Sequence, residues 1–282
     1  MMHNDIICRS PDGTGRLVLI SGAASLPHPE KEHRGGEDAY FVHSGGYCLG
    51  VADGVGGWAE VGVDPGLYSR ELMNHADSFI NSVQRVDESV PQQALEDAHS
   101  KTRARGSCTA CIVCLCGTKI YASNLGDSGF ALVRDGLVEY ISPQQQHEFN
   151  FPYQIGSPDS MSDLPTAAQN LSVHVEAGDA IIVATDGLFD NVYPDEAAGL
   201  VGISRRNGES PRIAAQTLAK FARVRAADPR HLSPFAYGAQ QLGFQYFGGK
   251  MDDITVLVAY VEKDKSEVNE AESKSNNTLS KL

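Results

Sequence analysis

The chain has 282 residues, with 23 Lys and Arg against 36 Asp and Glu for a net charge of −13, and its residues are 41% hydrophobic and 21% charged. That length supports a sizeable core, and the composition lies far from that of disordered chains. The negative balance argues against a sequence-independent grip on a phosphate backbone, so nucleic acid is not an expected partner. No stretch reaches the ~18 apolar residues of a membrane span, and the opening residues MMHNDIICRSPDGTGR lack the apolar core of a signal peptide.

Residues 1–16 are polar and Gly-rich, and the expectation there is a disordered segment. A first strand is predicted over 17–20, followed by strands over 39–43 and 47–52. Helical spacing of apolar residues then covers 66–83 and 91–103, where Pro91 suits a first helical turn. Strands are predicted next over 107–115, 119–125, 130–134 and 137–141, and the turn residues Gly126-Asp127-Ser128-Gly129 and Asp135-Gly136 read as hairpin connections. The Pro-containing stretch 142–171 reads as more loop than core. Strands over 172–176 and 180–184, helices over 195–204, 212–226 and 233–241, and a last strand over 254–261 complete the series. Residues 263–282 are charged and rich in Ser and Asn, and read as a disordered tail. With no linker or fixed-period repeat between the ends, one domain over 17–262 is the simplest division. Antiparallel strands with helix pairs inserted between them make an α+β layered sandwich.

Four of the six cysteines fall at Cys108, Cys111, Cys114 and Cys116. On a strand the side chains alternate, so Cys111 faces away from the other three and the set does not converge on one ion. A buried strand is the expectation, and Cys8 and Cys48 fit reduced thiols.

The chemistry is suggested by aspartates at strand ends. Asp53-Gly54 follows one predicted strand, Asp186-Gly187 another and Gly126-Asp127 a third, while Asp252-Asp253 opens the last and Glu37-Asp38 precedes that over 39–43. Each dipeptide alone also suits an ordinary turn. Gathered at one rim, such carboxylates would require a compensating cation, and oxygen ligands with water suit Mg²⁺ or Mn²⁺. Two such ions activate water and clamp a phosphoryl group for hydrolysis. No nucleophile elbow and no Gly-x-x-x-x-Gly-Lys loop points to an acyl transferase or an ATPase.

The motifs Gly36-Glu37-Asp38, Val51-Ala52-Asp53-Gly54-Val55-Gly56-Gly57, Gly106-Ser107-Cys108-Thr109-Ala110, Asn124-Leu125-Gly126-Asp127-Ser128, Ala184-Thr185-Asp186-Gly187-Leu188-Phe189-Asp190 and Asp252-Asp253-Ile254-Thr255-Val256 occur in this order. In them the chain resembles the metal-dependent type 2C protein serine/threonine phosphatases. The phrases at 26–29, 56–60 and 149–154 look most like the plant organellar branch related to mitochondrial members. The resemblance implies an antiparallel β-sandwich flanked by helix pairs in four α-β-β-α layers. It implies hydrolysis of phosphoserine and phosphothreonine in proteins by a hydroxide bridging two divalent cations, in a monomer.

By position, the resemblance makes Asp53 the ligand bridging both ions, the carbonyl of Gly54 a second contact, and Asp186 and Asp252 ligands of one ion. Glu37 stands on the other side, Asp38 orients water, and Asp127 serves a weaker third ion. Asp53, Asp186, Asp252 and Asp38 form the implied catalytic set, and Arg34 is the implied phosphate contact, with Lys31 beside it. Three positions depart from the family pattern. Val55 stands where a proton-donating His is usual, Arg34 lies three residues before Glu37 instead of four, and Asp253 replaces the usual Asn. The resemblance also implies a chloroplast or mitochondrial location, whereas the start as it stands reads as cytoplasmic. Val55 and Arg34 leave a catalytically silent relative open, and a hydrolase of small phosphate esters is a third reading. Trp58 suits either packing or a substrate groove, and His147 with the aromatic segment 149–153 suits either a flap or a packed loop.

Overall fold

The computed structural model describes residues 16–264, and the segments expected to be disordered lie almost wholly outside them. Strand β1 (Leu17–Leu26) is followed by β2 (Asp38–Val42), β3 (Cys48–Gly54) and helices α1 (Pro65–Ser82) and α2 (Val90–Lys101). Next come β4 (Ser107–Cys116), β5 (Lys119–Leu125), β6 (Gly129–Arg134), β7 (Leu137–Ile141), the short strands β8 (Gln146–Glu148), β9 (Phe151–Pro152) and β10 (Ile155–Gly156), and β11 (Gln169–His174). Strand β12 (Ala180–Ala184), helices α3 (Asp186–Phe189), α4 (Pro194–Arg206), α5 (Pro211–Ala226) and α6 (Pro234–Gln241), and β13 (Ile254–Lys263) complete the order.

Two antiparallel sheets stack. One has the order β1-β13-β12-β6-β7, and the other runs β11-β5-β4-β3-β2 with β10 paired to β4. Strict alternation on the central strands shows why they sit where they do. On β12, Ile181 and Val183 join the core shared with the second sheet, while Ala180, Ile182 and Ala184 face the core under α4 and α5. On β13, Leu257, Ala259 and Val261 point one way and Val256, Val258 and Tyr260 the other. Such strands carry apolar residues at every position because both faces are covered. Tyr68, Leu72, Met73, Ala76 and Ile80 of α1 cover the outer face of the second sheet, at the i, i+4 spacing of a core-facing helix. The layers are therefore helix, sheet, sheet, helix.

Local chemistry places the helix starts. Asp64 accepts a hydrogen bond from the Gly66 amide ahead of α1, Ser210 from Ile213 ahead of α5, and Ser233 from Ala236 ahead of α6, each with proline as the first helical residue.

Several expectations change. β1 runs to Leu26 rather than residue 20, pairing along its whole length with β13. At Gly22, inside that strand, a Cβ would overlap the backbone of Arg212 on α5, so the glycine is demanded by helix packing. The stretch 142–171 is more ordered than a loop. It holds the β8–β9 hairpin, and Ile155 on β10 is fully buried against β4. Asp53 and Gly54 lie within β3 instead of beyond its end. Cys48 is not a free thiol, because it faces Cys114 across β3 and β4 and the two form a disulfide. Cys108 and Cys111 are free and buried, while Cys8 is outside the described residues.

Ile112, at the centre of β4, has no exposed surface. Ile112→Ala is expected to lower the unfolding free energy by ~2–5 kcal/mol, measured by denaturant titration. Ile20→Ala, at a half-exposed site on β1, should stay within about 0.5 kcal/mol.

Candidate metal centre

One rim of the sandwich collects the acidic residues. Asp38 on β2 lies directly across from Asp53 on β3, which in turn pairs with Thr109 on β4. Asp186 begins α3 where β12 ends, and Asp252 lies just before β13. Asp127 sits in the turn between β5 and β6. These strands are neighbours in the two sheets, so their ends converge. Asp53, Asp127, Asp186, Asp252, Glu37, Gly54, Val55, Lys31 and Lys250 line an open cleft of about 240 Å³, with Asn150 and Pro152 from the β8–β9 hairpin at its edge. A larger cleft of about 470 Å³ lies by the β6–β7 turn and α4, where Asp135 is its one lining carboxylate. Carboxylate chemistry therefore belongs to the smaller cleft.

The electrostatics are those of a site short of positive charge. Burial, and then the carboxylates of Asp38, Asp186 and Asp252, push the pKa of Asp53 well up. Burial, reinforced by Asp253, also raises Asp38, although Thr185 donates to its Oδ2 at 2.9 Å. Burial and Asp186 push Asp127 up to about 7. Asp186 is the exception: burial opposes its ionised form, but Lys250 outweighs that and holds its pKa below the usual value. The Oδ1 atoms of Asp38, Asp127 and Asp186 are buried without a hydrogen-bond partner. Opposed carboxylates with unpartnered buried oxygens are the pattern that a hard divalent cation relieves, so the donor set fits the ions expected from sequence. Among the described residues no three or more His, Cys, Asp or Glu side chains form a ready coordination shell. Mg²⁺ is usually held by one or two carboxylates and keeps several waters, so a closed cage is not required.

Asp253 fixes the geometry of the acidic loop. Its Oδ1 accepts from the His28 amide at 2.6 Å and its Oδ2 from the Glu37 amide at 3.0 Å. Both contacts need acceptors, which explains Asp where the family pattern has Asn, since an amide nitrogen would meet a donor with a donor. Gly36, at φ +79°, is also required here, because a Cβ would reach Asp253 Oδ1 at 2.6 Å.

The model of the family described as protein phosphatase 2C matches residues 31–223. The chain belongs to that family. The protein named "Probable protein phosphatase 2C 80" of Arabidopsis thaliana is 51% identical over 245 residues, which is 87% of this chain and 59% of that protein. The chain thus spans less than two thirds of that relative's length. The solved structure of the photosystem II phosphatase PBCP superposes with a TM-score of 0.79 at 36% identity, covering 86% of this chain and 99% of the other. The catalytic domain of the serine/threonine phosphatase PstP, solved with two manganese ions, gives a TM-score of 0.62 at 19% identity and covers 88% and 100%. That last likeness concerns the fold.

Within this family fold, the residues singled out from sequence occupy distinct places. Asp53, Asp127, Asp186, Asp252, Glu37 and Gly54 all line the cleft. Asp38 is buried across from Asp53 and does not line the cleft. Arg34 donates from Nη2 to Glu37 Oε1 at 3.1 Å and is not among the cleft-lining residues, whereas Lys31 lines the cleft and pairs with the other Glu37 oxygen. Trp58 donates to Ser107 Oγ at 2.7 Å and lies outside the cleft lining. His147 stacks on Tyr153 with ring centroids 3.9 Å apart. Lys250, Asp190 and Asn191 were not assigned from sequence. Asp190 lies inside the Asp186 motif and could have been found there, while Lys250 and Asn191 carry no local signal.

Asp253→Asn is expected to cost ~1–3 kcal/mol in unfolding free energy, since one buried amide donor loses its acceptor; thermal unfolding of the metal-free protein measures it. Asp127 supplies a pH test. Its folded pKa, raised to about 7, means that the folded state binds the proton more tightly, so its contribution is favourable at low pH and is lost as pH rises through about 7. In metal-free protein, the stability of Asp127→Asn relative to wild type should therefore increase from about pH 4 and level off above about pH 7.

Proposed function

We propose that this chain is a protein phosphatase that hydrolyses phosphoserine and phosphothreonine with two divalent cations, Mg²⁺ or Mn²⁺. The observation that carries the reading is the opposed pair Asp53 and Asp186, one unpartnered oxygen of which is buried at the edge of an open cleft. Asp53, Asp186, Asp252, the Gly54 carbonyl and Glu37 are the residues that would hold the ions. When bound, such ions lower the pKa of water and neutralise charge on a phosphoryl group.

The chain's own groups do the rest. Asp38, fixed by Thr185 and by its place opposite Asp53, is an acceptor suited to orienting the attacking water. Lys31 lines the cleft and would meet the phosphate as a point charge, while Arg34 steadies Glu37 from behind. Val55 lines the same cleft and offers no proton, so the chain carries no donor for the leaving oxygen at that position. The β8–β9 hairpin borders the cleft, where a polypeptide substrate would have to pass.

The substrates of this reading are phosphoproteins, the folded unit is residues 17–262, and the active form is a monomer. Among the described residues no helix is long and apolar enough to cross a membrane. A chloroplast or mitochondrial location is part of the proposal, and the likeness to a photosystem II phosphatase supports the first.

Phosphopeptide hydrolysis with Mn²⁺ or Mg²⁺ tests this reading. Chelation should abolish it, and Asp53→Asn or Asp186→Asn should lower kcat/KM by at least ~100-fold, the upper end of what loss of a ligand's supporting partner costs. Activity that survives either treatment rejects the metal centre. Metal binding without turnover would identify a catalytically silent relative, and turnover confined to small esters would exclude the protein-phosphatase reading.

A further inference from the structure

Lys250 Nζ donates to Asp186 Oδ2 at 2.5 Å and to Asp190 Oδ2 at 2.7 Å, and lies 3.3 Å from Asp252 Oδ2. Of the three donors of an ammonium, two meet carboxylates, and the Asp252 carboxylate adds an ion-pair contact. The lysine is also held by its backbone. Its amide donates to Asn191 Oδ1 at 2.8 Å and its carbonyl accepts from Asn191 Nδ2 at 2.8 Å, while the same Asn191 nitrogen donates to the Gly187 carbonyl at 3.0 Å. Nζ further lies 5.1 Å from the centre of the Phe235 ring, a favourable cation–π distance. This is a built position, with the side chain only 17% exposed.

Two of these aspartates, Asp186 and Asp190, are electrostatic neighbours of Asp127, where the family resemblance expects a weaker third ion. We propose that Lys250 takes the place of that ion: the ammonium is a resident cation of the Asp127–Asp186–Asp190 side, and the chain binds two divalent cations, not three. The inference rests on the metal-centre reading above. A third ion sharing Asp186 and Asp190 would sit beside Nζ, where like charges repel strongly, and it would compete for oxygens the lysine already uses. The first two ions are not displaced, because Asp186 keeps Oδ1 without a partner for the Asp53 side. Lys250 is thus a positioning residue, orienting Asp186 and Asp252.

Counting bound Mn²⁺ tests this directly. Purified protein is titrated into the millimolar range, and free Mn²⁺ is read by electron paramagnetic resonance. The expected result is two ions per chain for wild type and Lys250→Arg, and three for Lys250→Met, in which Asp186 and Asp190 are freed beside Asp127. Phosphopeptide hydrolysis by Lys250→Met should fall about tenfold, as for loss of a ligand's supporting partner, and recover as Mn²⁺ is raised. Three ions in wild type, or two in a folded Lys250→Met, would overturn the inference while leaving the metal centre intact. No bound ions in wild type would overturn the metal centre and this inference with it. Should Lys250→Met not fold, the wild-type count decides alone.

Discussion

Everything at the functional rim follows from bringing more buried carboxylates together than their surroundings can neutralise. Asp38, Asp53 and Asp190 are pushed towards their neutral forms first by burial and then by neighbouring carboxylates. Lys250 touches both Asp186 and Asp190, yet only at Asp186 does its charge outweigh burial and favour the ionised form. A sandwich stable enough to tolerate this arrangement is a precondition for the site. The doubly covered strands β12 and β13 supply it, because their ends deliver Asp186 and Asp252 while their lengths are buried on both faces.

The two lysines divide the cleft. Lys31 serves Glu37 and approaches Asp253, and Lys250 serves Asp186, Asp190 and Asp252. Between them lies the Asp53–Asp186 pair, whose mutual repulsion neither lysine removes. That division leaves Asp53 without an ion pair from either lysine. It also accounts for the departures from the family pattern around Glu37. Arg34 is a partner of Glu37, and Asp253 is the acceptor that anchors the loop carrying Glu37.

Much of the fold was legible in sequence because its signals are local. Alternation identified the strands, apolar spacing and proline at first turns identified the helices, and turn dipeptides identified the hairpins. Errors arose where a residue's reason was remote. The first strand outruns its expected end, and Gly22 within it is demanded by the backbone of Arg212, on a helix far along the chain. The short strands β8 to β10 escaped notice because two or three residues hold too little pattern, and the pairing of Cys48 with Cys114 depends on the β3–β4 register.

The sequence by itself determined the family motifs and the residues able to ligate a cation, since Asp beside Gly at strand ends is readable one segment at a time. Only the tertiary structure decided which cations the chain already carries. Lys250 stands near Asp252 in the chain, but its contact with Asp186 and Asp190 spans about sixty residues and depends on Asn191 gripping its backbone from the end of α3. Such contacts leave no periodicity or motif, because a lysine's charge acts through space and its partners are chosen by how the strands and loops converge.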